Sequence, residues 1–307
     1  MSTDAIDQLI HAIANISHVE RPCLENLLVI KKLEIAKEPV DQEHHEALSK
    51  ITMWESELHN LNSWTLQWAL MKMTCSLQAE KDRAKEGLIK ANALVAETEK
   101  KVQEEKDKIH DVEIKNEKYS VDYRSLQKYR EDVSVLLDSA LTGTFPSVQA
   151  LNESIEEIKK NSAEKFEKIS KLEKVKELLK GADFALLEAI LELRQSSVKE
   201  HLMGEGKVYF PQVAYDCLTK AREEYPDLPG FKSPTEYVNE ADNTGAYYSP
   251  MQKYLWDVRR RLTELVAWCD NEALIHLTQE TEIQIELGAK IDEYNFERRR
   301  IIKEGLN

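Results

Sequence analysis

The sequence predicts an all-α fold, an elongated helical bundle built on a long antiparallel coiled-coil hairpin with flanking helices. Three observations predict it. Glycine (9) and proline (8) are scarce in 307 residues, while 32% of the chain is charged, a composition that favours long helices over sheet. Two series of apolar residues recur every seven positions across 76–200, the spacing that keeps one stripe of a helix facing a partner. The two series are of similar length and flank Thr142-Gly143-Thr144-Phe145-Pro146-Ser147, where Gly143 can end one helix and Pro146 can start the next.

Taken in order, residues 1–75 read as N-terminal helices. Ser2, Thr3 and Asp4 can cap a first helix with Ile6, Leu9, Ile10 and Ile13 on one face. Pro22 suits the first turn of a second helix, which Pro39 ends or closely follows. A third helix is expected from about Asp41 toward Met73, with Trp54, Leu58, Leu61, Trp64 and Trp68 on one side.

In 76–200 the first heptad series is Leu88, Val95, Val102, Ile109, Asn116 and Tyr123, with Ala91, Thr98, Glu105, Val112, Tyr119, Leu126 and Val133 as companions. The second is Leu151, Ile158, Lys165, Leu172, Leu179, Leu186 and Leu193, with Ile155, Ser162, Ile169, Lys176, Asp183 and Ile190. Each arm is roughly 75 Å long at 1.5 Å per residue, and the tip falls near 134–150. Folding arm on arm brings no specific polar pair into register. Weak mid-seams of this kind are where a long coiled coil bends or admits a third helix.

Residues 201–249 hold four of the eight prolines and four of the nine glycines, which marks an irregular connector. It is expected to contain one short helix around Tyr215–Arg222 and a short β-hairpin around Val208–Phe210. Residues 250–307 return to one long helix, started by Pro250 and packing on the hairpin through Tyr254, Leu255, Val258, Leu262, Leu265, Val266, Leu274 and Leu277.

The net charge is −14. An acidic chain repels phosphate, so no nucleic-acid partner is expected. Cys23, Cys75, Cys217 and Cys269 form no CxxC pair and read as reduced, buried thiols. The start MSTDAIDQLIHAIANISHVE has no basic n-region, so the expected compartment is the cytoplasm, with leaderless export as the alternative. No stretch approaches the ~18 apolar residues of a membrane span.

No phosphate-binding loop, nucleophile elbow or HExxH is present. In Glu43-His44-His45-Glu46 the adjacent histidines point about 100° apart and do not chelate together. No catalytic residue, cofactor or metal is expected, and the chain reads as a non-enzyme.

Two features stand out as candidate interaction sites. From Val133 to Leu151 there is one charge, Asp138, in 19 residues. Val135, Leu136, Leu137, Leu141, Phe145 and Val148 would crowd the hairpin tip, either as an exposed apolar surface or as a small core under another segment. The second is a pair of arginine runs, Arg259-Arg260-Arg261 and Arg298-Arg299-Arg300. They read either as ion-paired helix faces or as a basic contact for an acidic partner.

The expectation that follows is a structural interaction protein, an elongated coiled-coil subunit assembling with itself or with other helical subunits. The architecture also resembles that of α-helical pore-forming toxins, which implies a membrane-active protein working through its apolar tip. A third reading is a membrane-surface dimer similar to BAR domains. The near balance of 23 bases and 26 acids in 76–200 weakens it, because such dimers need a basic face.

Overall fold

A computed structural model describes residues 3–63, 77–141, 143–194, 211–230 and 250–305. The described residues form α-helices without any strand. The fold is all-α, a bundle of long helices packed against their neighbours. The helices are α1 (Thr3–Ile16), α2 (Glu20–Asn62), α3 (Leu77–Ala140), α4 (Pro146–Arg194), α5 (Gln212–Glu224) and α6 (Pro250–Lys303), with a 3₁₀ turn at Ser17–Val19. The chain divides into two compact units, Met1–Ala140 and Leu141–Asn307.

In the first unit α2 packs along α3. Their direction follows from the polar contacts: Glu20 meets Arg130, Asn26 meets Asn116, Glu43 meets Lys101 and His44 meets Thr98. One number rises as the other falls, so the helices are antiparallel. Ala91, Thr98, Val102, Asn116, Leu126 and Val133 of α3 are all buried. These are heptad positions expected for the first arm, and those from Ala91 to Leu126 lie along α2. α1 and the 3₁₀ turn pack on α3 as well.

α2 runs unbroken for 43 residues through Pro39, where the sequence reading places a helix end. An interior proline lacks the N–H for one helical hydrogen bond and crowds the preceding turn, at a cost of about 3 kcal/mol. Here the ring lies on the exposed side, and contacts to α3 hold the helix both before and after it. Tertiary packing outweighs the local penalty. Of the expected aromatic face, Leu61 is buried and Trp54 and Leu58 half-buried, while Trp64 and Trp68 lie outside the described residues. Gly87 of α3 lies against the Trp54 indole, where an added Cβ would stand 2.5 Å from the ring.

In the second unit Pro146 opens α4 and Pro250 opens α6, both as the first-turn preference of proline predicts. α4 packs along α6, again antiparallel: Ser147 meets Glu297, Ser162 meets Glu280, Lys176 meets Asp270 and Asp183 meets Arg259. The heptad residues Leu172, Leu179, Leu186 and Ile190 of α4 are buried with Tyr254, Leu255, Val258, Leu262 and Leu265 of α6. α6 ends at Gly305 with φ 68°, the left-handed turn that favours glycine.

Within the first unit α3 packs along α2, and within the second α4 packs along α6. Polar seam residues of α3 and α4 find hydrogen-bonding partners on those helices. The connector is also more than a connector. Its short helix α5, expected around Tyr215–Arg222, adds Ala214, Leu218 and Ala221 to the core of the second unit, and the turn after it adds Leu228. Val208–Phe210 lie outside the described residues.

The Glu20–Arg130 pair gives a sharp test. Removing one partner alone, by Arg130→Met or Glu20→Gln, should cost about 3–5 kcal/mol, because it leaves a buried charge or donor uncompensated. The double variant Glu20→Leu/Arg130→Met should recover most of that loss. Urea titrations of the three variants measure both steps.

Candidate interaction surfaces

The buried polar groups do structural work. In the first unit the Arg130 guanidinium donates from Nη1 and Nη2 to both oxygens of Glu20, at 2.6 and 2.8 Å. Both side chains are almost fully buried. Asn26 Nδ2 donates to Asn116 Oδ1 at 3.5 Å. Thr98 Oγ1 lies within hydrogen-bond distance of the helix carbonyls of Leu94 and Val95 and shares a hydrogen bond with His44 Nδ1 at 3.0 Å. His44 is therefore a rung between helices, and its neighbour Glu43 accepts from Lys101. Among the described residues no group of three or more His, Cys, Asp and Glu is arranged to hold a metal ion.

The second unit repeats the device. Arg259 donates from Nε and Nη2 to the two oxygens of Asp183, both at 2.8 Å, and its guanidinium lies 5.1 Å from the Trp256 ring centre. Lys176 donates to Asp270 at 2.6 Å and Lys165 to Gln279 at 2.7 Å. Ser162 and Gln284 both donate to Glu280 Oε1. Lys165 and Lys176 interrupt the heptads in sequence, and each finds its acceptor on α6.

These contacts decide most of the basic candidates. Arg259 is held by Asp183. Arg261 pairs with Glu264. Arg298 is 1% exposed, donates to Asn295 Oδ1 at 2.7 Å and lies over the Tyr294 ring. Arg300 is clasped by Glu297 and Glu304. Arg260 is exposed and Arg299 half-exposed. Arg259, Arg261, Arg298 and Arg300 are thus ion-paired or buried. Of the two tryptophans on α6, Trp268 packs against the core and edge-on to Tyr225, while Trp256 is 40% exposed.

The apolar candidates divide between the units. Leu137 is fully buried, Leu136 half-buried and Val135 63% exposed. In the second unit Leu141, Phe145 and Val148 are half-buried, and the Phe145 ring folds back over Gly143. The segment is not a uniformly exposed apolar surface.

A feature that sequence reading missed lies on α3. Ile114, Val121 and Val135 are 48%, 55% and 63% exposed and stand at multiples of seven residues. Lys128 interrupts the line. The signal was in the sequence, but the inner heptads of α3 masked it. On the second unit Phe166, Phe184, Ile275 and Phe296 are the corresponding exposed apolar side chains. Two shallow grooves run between helices. One, between α4 and α5, has a volume of about 880 Å³ and is lined largely by lysines and glutamates. The other, between α4 and α6, is about 450 Å³ and similarly charged.

Burial sets the thiol chemistry. It pushes Cys269 up to about 11, with Asp270 adding to the rise, and it raises Cys23 against the lowering hydrogen bond from Asn116. Neither thiol is a nucleophile near neutral pH. Glu297 is lowered to about 2, first by its hydrogen bond from Arg300 and then by that from Ser147.

Comparison with protein-family models, with curated proteins and with solved structures finds no match for this chain.

Two outcomes follow. Glu297 has a lowered value when folded, so its contribution is present above the ordinary carboxylate range and is lost as pH falls from about 4.5 toward 2. Thermal melts across that window should show Glu297→Gln less acid-sensitive than the parent. Separately, native-state labelling with a thiol reagent at pH 7.5 should leave Cys23 and Cys269 unmodified until denaturant is added, as peptide mapping would show.

Proposed function

We propose that this protein is a non-enzymatic helical interaction protein that takes up a partner helix on the outer face of α3. The observation that carries the reading is the second heptad line, Ile114, Val121 and Val135, left in solvent on a helix whose inner heptads are already used by α2. Single exposed apolar residues are ordinary on any surface. A line at seven-residue spacing is the pattern that a coiled-coil partner reads. Lys128 within the line would favour one register over others, as a polar residue at a core position does.

The long pairs support the reading in a second way. In each unit a short helix packs against one of the long helices, α1 on α3 and α5 on α4. Large apolar side chains elsewhere on the pairs, such as Phe166 and Phe296, offer further contact points. The buried polar rungs hold the pairs in fixed register, which suits a rigid platform.

The membrane-active alternative keeps one supporting observation, the exposure of Val135. Against it stand the full burial of Leu137 and the absence, among the described residues, of any helix long and apolar enough to cross a membrane.

The test is light scattering on a sizing column over a range of concentrations, with and without Val121→Glu. Self-assembly that Val121→Glu weakens tenfold or more (about 1.4 kcal/mol) would support the proposal. A chain monomeric at all concentrations would call for the same variant in a pull-down with candidate helical partners. Binding indifferent to Val121→Glu in both settings would sink the α3 face. Dye release from neutral and anionic vesicles that Val135→Glu abolishes would favour the membrane reading instead.

A further inference from the structure

We infer that α1 is a detachable strap, closed over the apolar C-terminal end of α3 and able to release without disturbing the α2–α3 pair. The inference starts from where the first unit is pinned. The buried Glu20–Arg130 pair joins the first residue of α2 to α3. α2 and α3 run antiparallel, so the residues of α3 beyond Arg130 lie level with whatever precedes Glu20. What precedes it is the 3₁₀ turn Ser17–Val19 and α1, and both pack on α3. Val133 and Leu137 of α3, each fully buried, lie in that stretch.

Three properties make the cover removable. First, α1 has only 14 residues, near the length at which an isolated helix is marginal in water. It holds its shape by being docked. Second, its inward anchors are few. Ile6 and Ile13, seven residues or about two turns apart, are buried, Leu9 and Ile10 are half-buried, and Asp4, His11 and Asn15 face solvent. Third, the hinge is the 3₁₀ turn, three residues without a side-chain cap at its start. Beyond the hinge the Glu20–Arg130 pair holds α2 in place, so opening at Ser17–Val19 need not propagate.

Release would present two apolar faces together, that of α1 and that of α3 around Val133 and Leu137. Closed, Val133 and Leu137 are hidden; open, they would be sticky. Local opening of such a segment occurs at lower free energy than global unfolding. This goes beyond the proposed docking on the outer face of α3, which does not involve α1, and the two stand or fall separately.

Hydrogen exchange with mass spectrometry on the intact chain tests the strap. The amides of α1 should exchange on the order of 100-fold faster than those of α2 and of α3 between Leu88 and Leu126, through an opening that leaves both of those helices protected. Ile13→Asp should abolish the residual protection of α1, raise the binding of a hydrophobic fluorescent dye, and leave the main unfolding transition in place. Protection of α1 equal to that of α2 in the unaltered chain would overturn the proposal. So would an Ile13→Asp variant in which α1 and the α2–α3 pair lose structure in one transition.

Discussion

A polar side chain placed in an apolar seam must find a partner at its own level on the facing helix, and this constraint organises both units. Apolar residues in a heptad seam are interchangeable within a turn or two, since one leucine packs against another at several offsets. A buried amide or charge is not, because leaving it unmatched costs the whole of its desolvation. Glu20 with Arg130 and Asn26 with Asn116 fix the register of the first pair. Lys176 with Asp270 and Asp183 with Arg259 fix that of the second. Each rung is of modest net strength, but each makes a slipped alignment expensive.

The distribution of charge on α6 shows the same logic over a longer range. Its two ends carry the arginine runs, while between Glu264 and Glu293 Lys290 is the single base among eight acids. The facing middle of α4 is lysine-rich, and Lys165 and Lys176 reach across to Gln279 and Asp270. At the far end Glu297 accepts from Ser147 and Arg300, which ties the last turns of α6 to the first turn of α4. Of the arginines in the two runs, Arg259 reaches across to Asp183 of α4, while Arg261, Arg298 and Arg300 have partners within α6.

Stability and availability are in tension along the long pairs. Where a short helix lies over one of the long helices, as α5 does on α4, the core is continuous, from Leu172 to Ile190 with Tyr254 to Ala273. Where α4 and α6 run with fewer neighbours, seam residues such as Leu151, Ile158 and Leu287 are only half-buried. Two helices alone cannot hide a seam on all sides. That geometric limit leaves apolar surface along the long pairs.

Much was legible in the sequence. The heptad residues of 88–133 and 151–190 are the ones that line the seams. Pro146 and Pro250 start helices as expected, and the helix around Tyr215–Arg222 is present. All of these rest on local rules, namely the helical period and the fixed φ of proline, that act within a few residues of the chain. Which seam faces which was not legible. A heptad stripe states that a partner exists without naming it, and the Glu20–Arg130 contact spans 110 positions that no local pattern connects. Pro39 inside α2, Leu137 buried beside an exposed Val135, and Arg298 sealed in the protein were decided by tertiary packing. Its energies, summed over a whole helix face, exceed the few kcal/mol that any one residue's own preference can set against them.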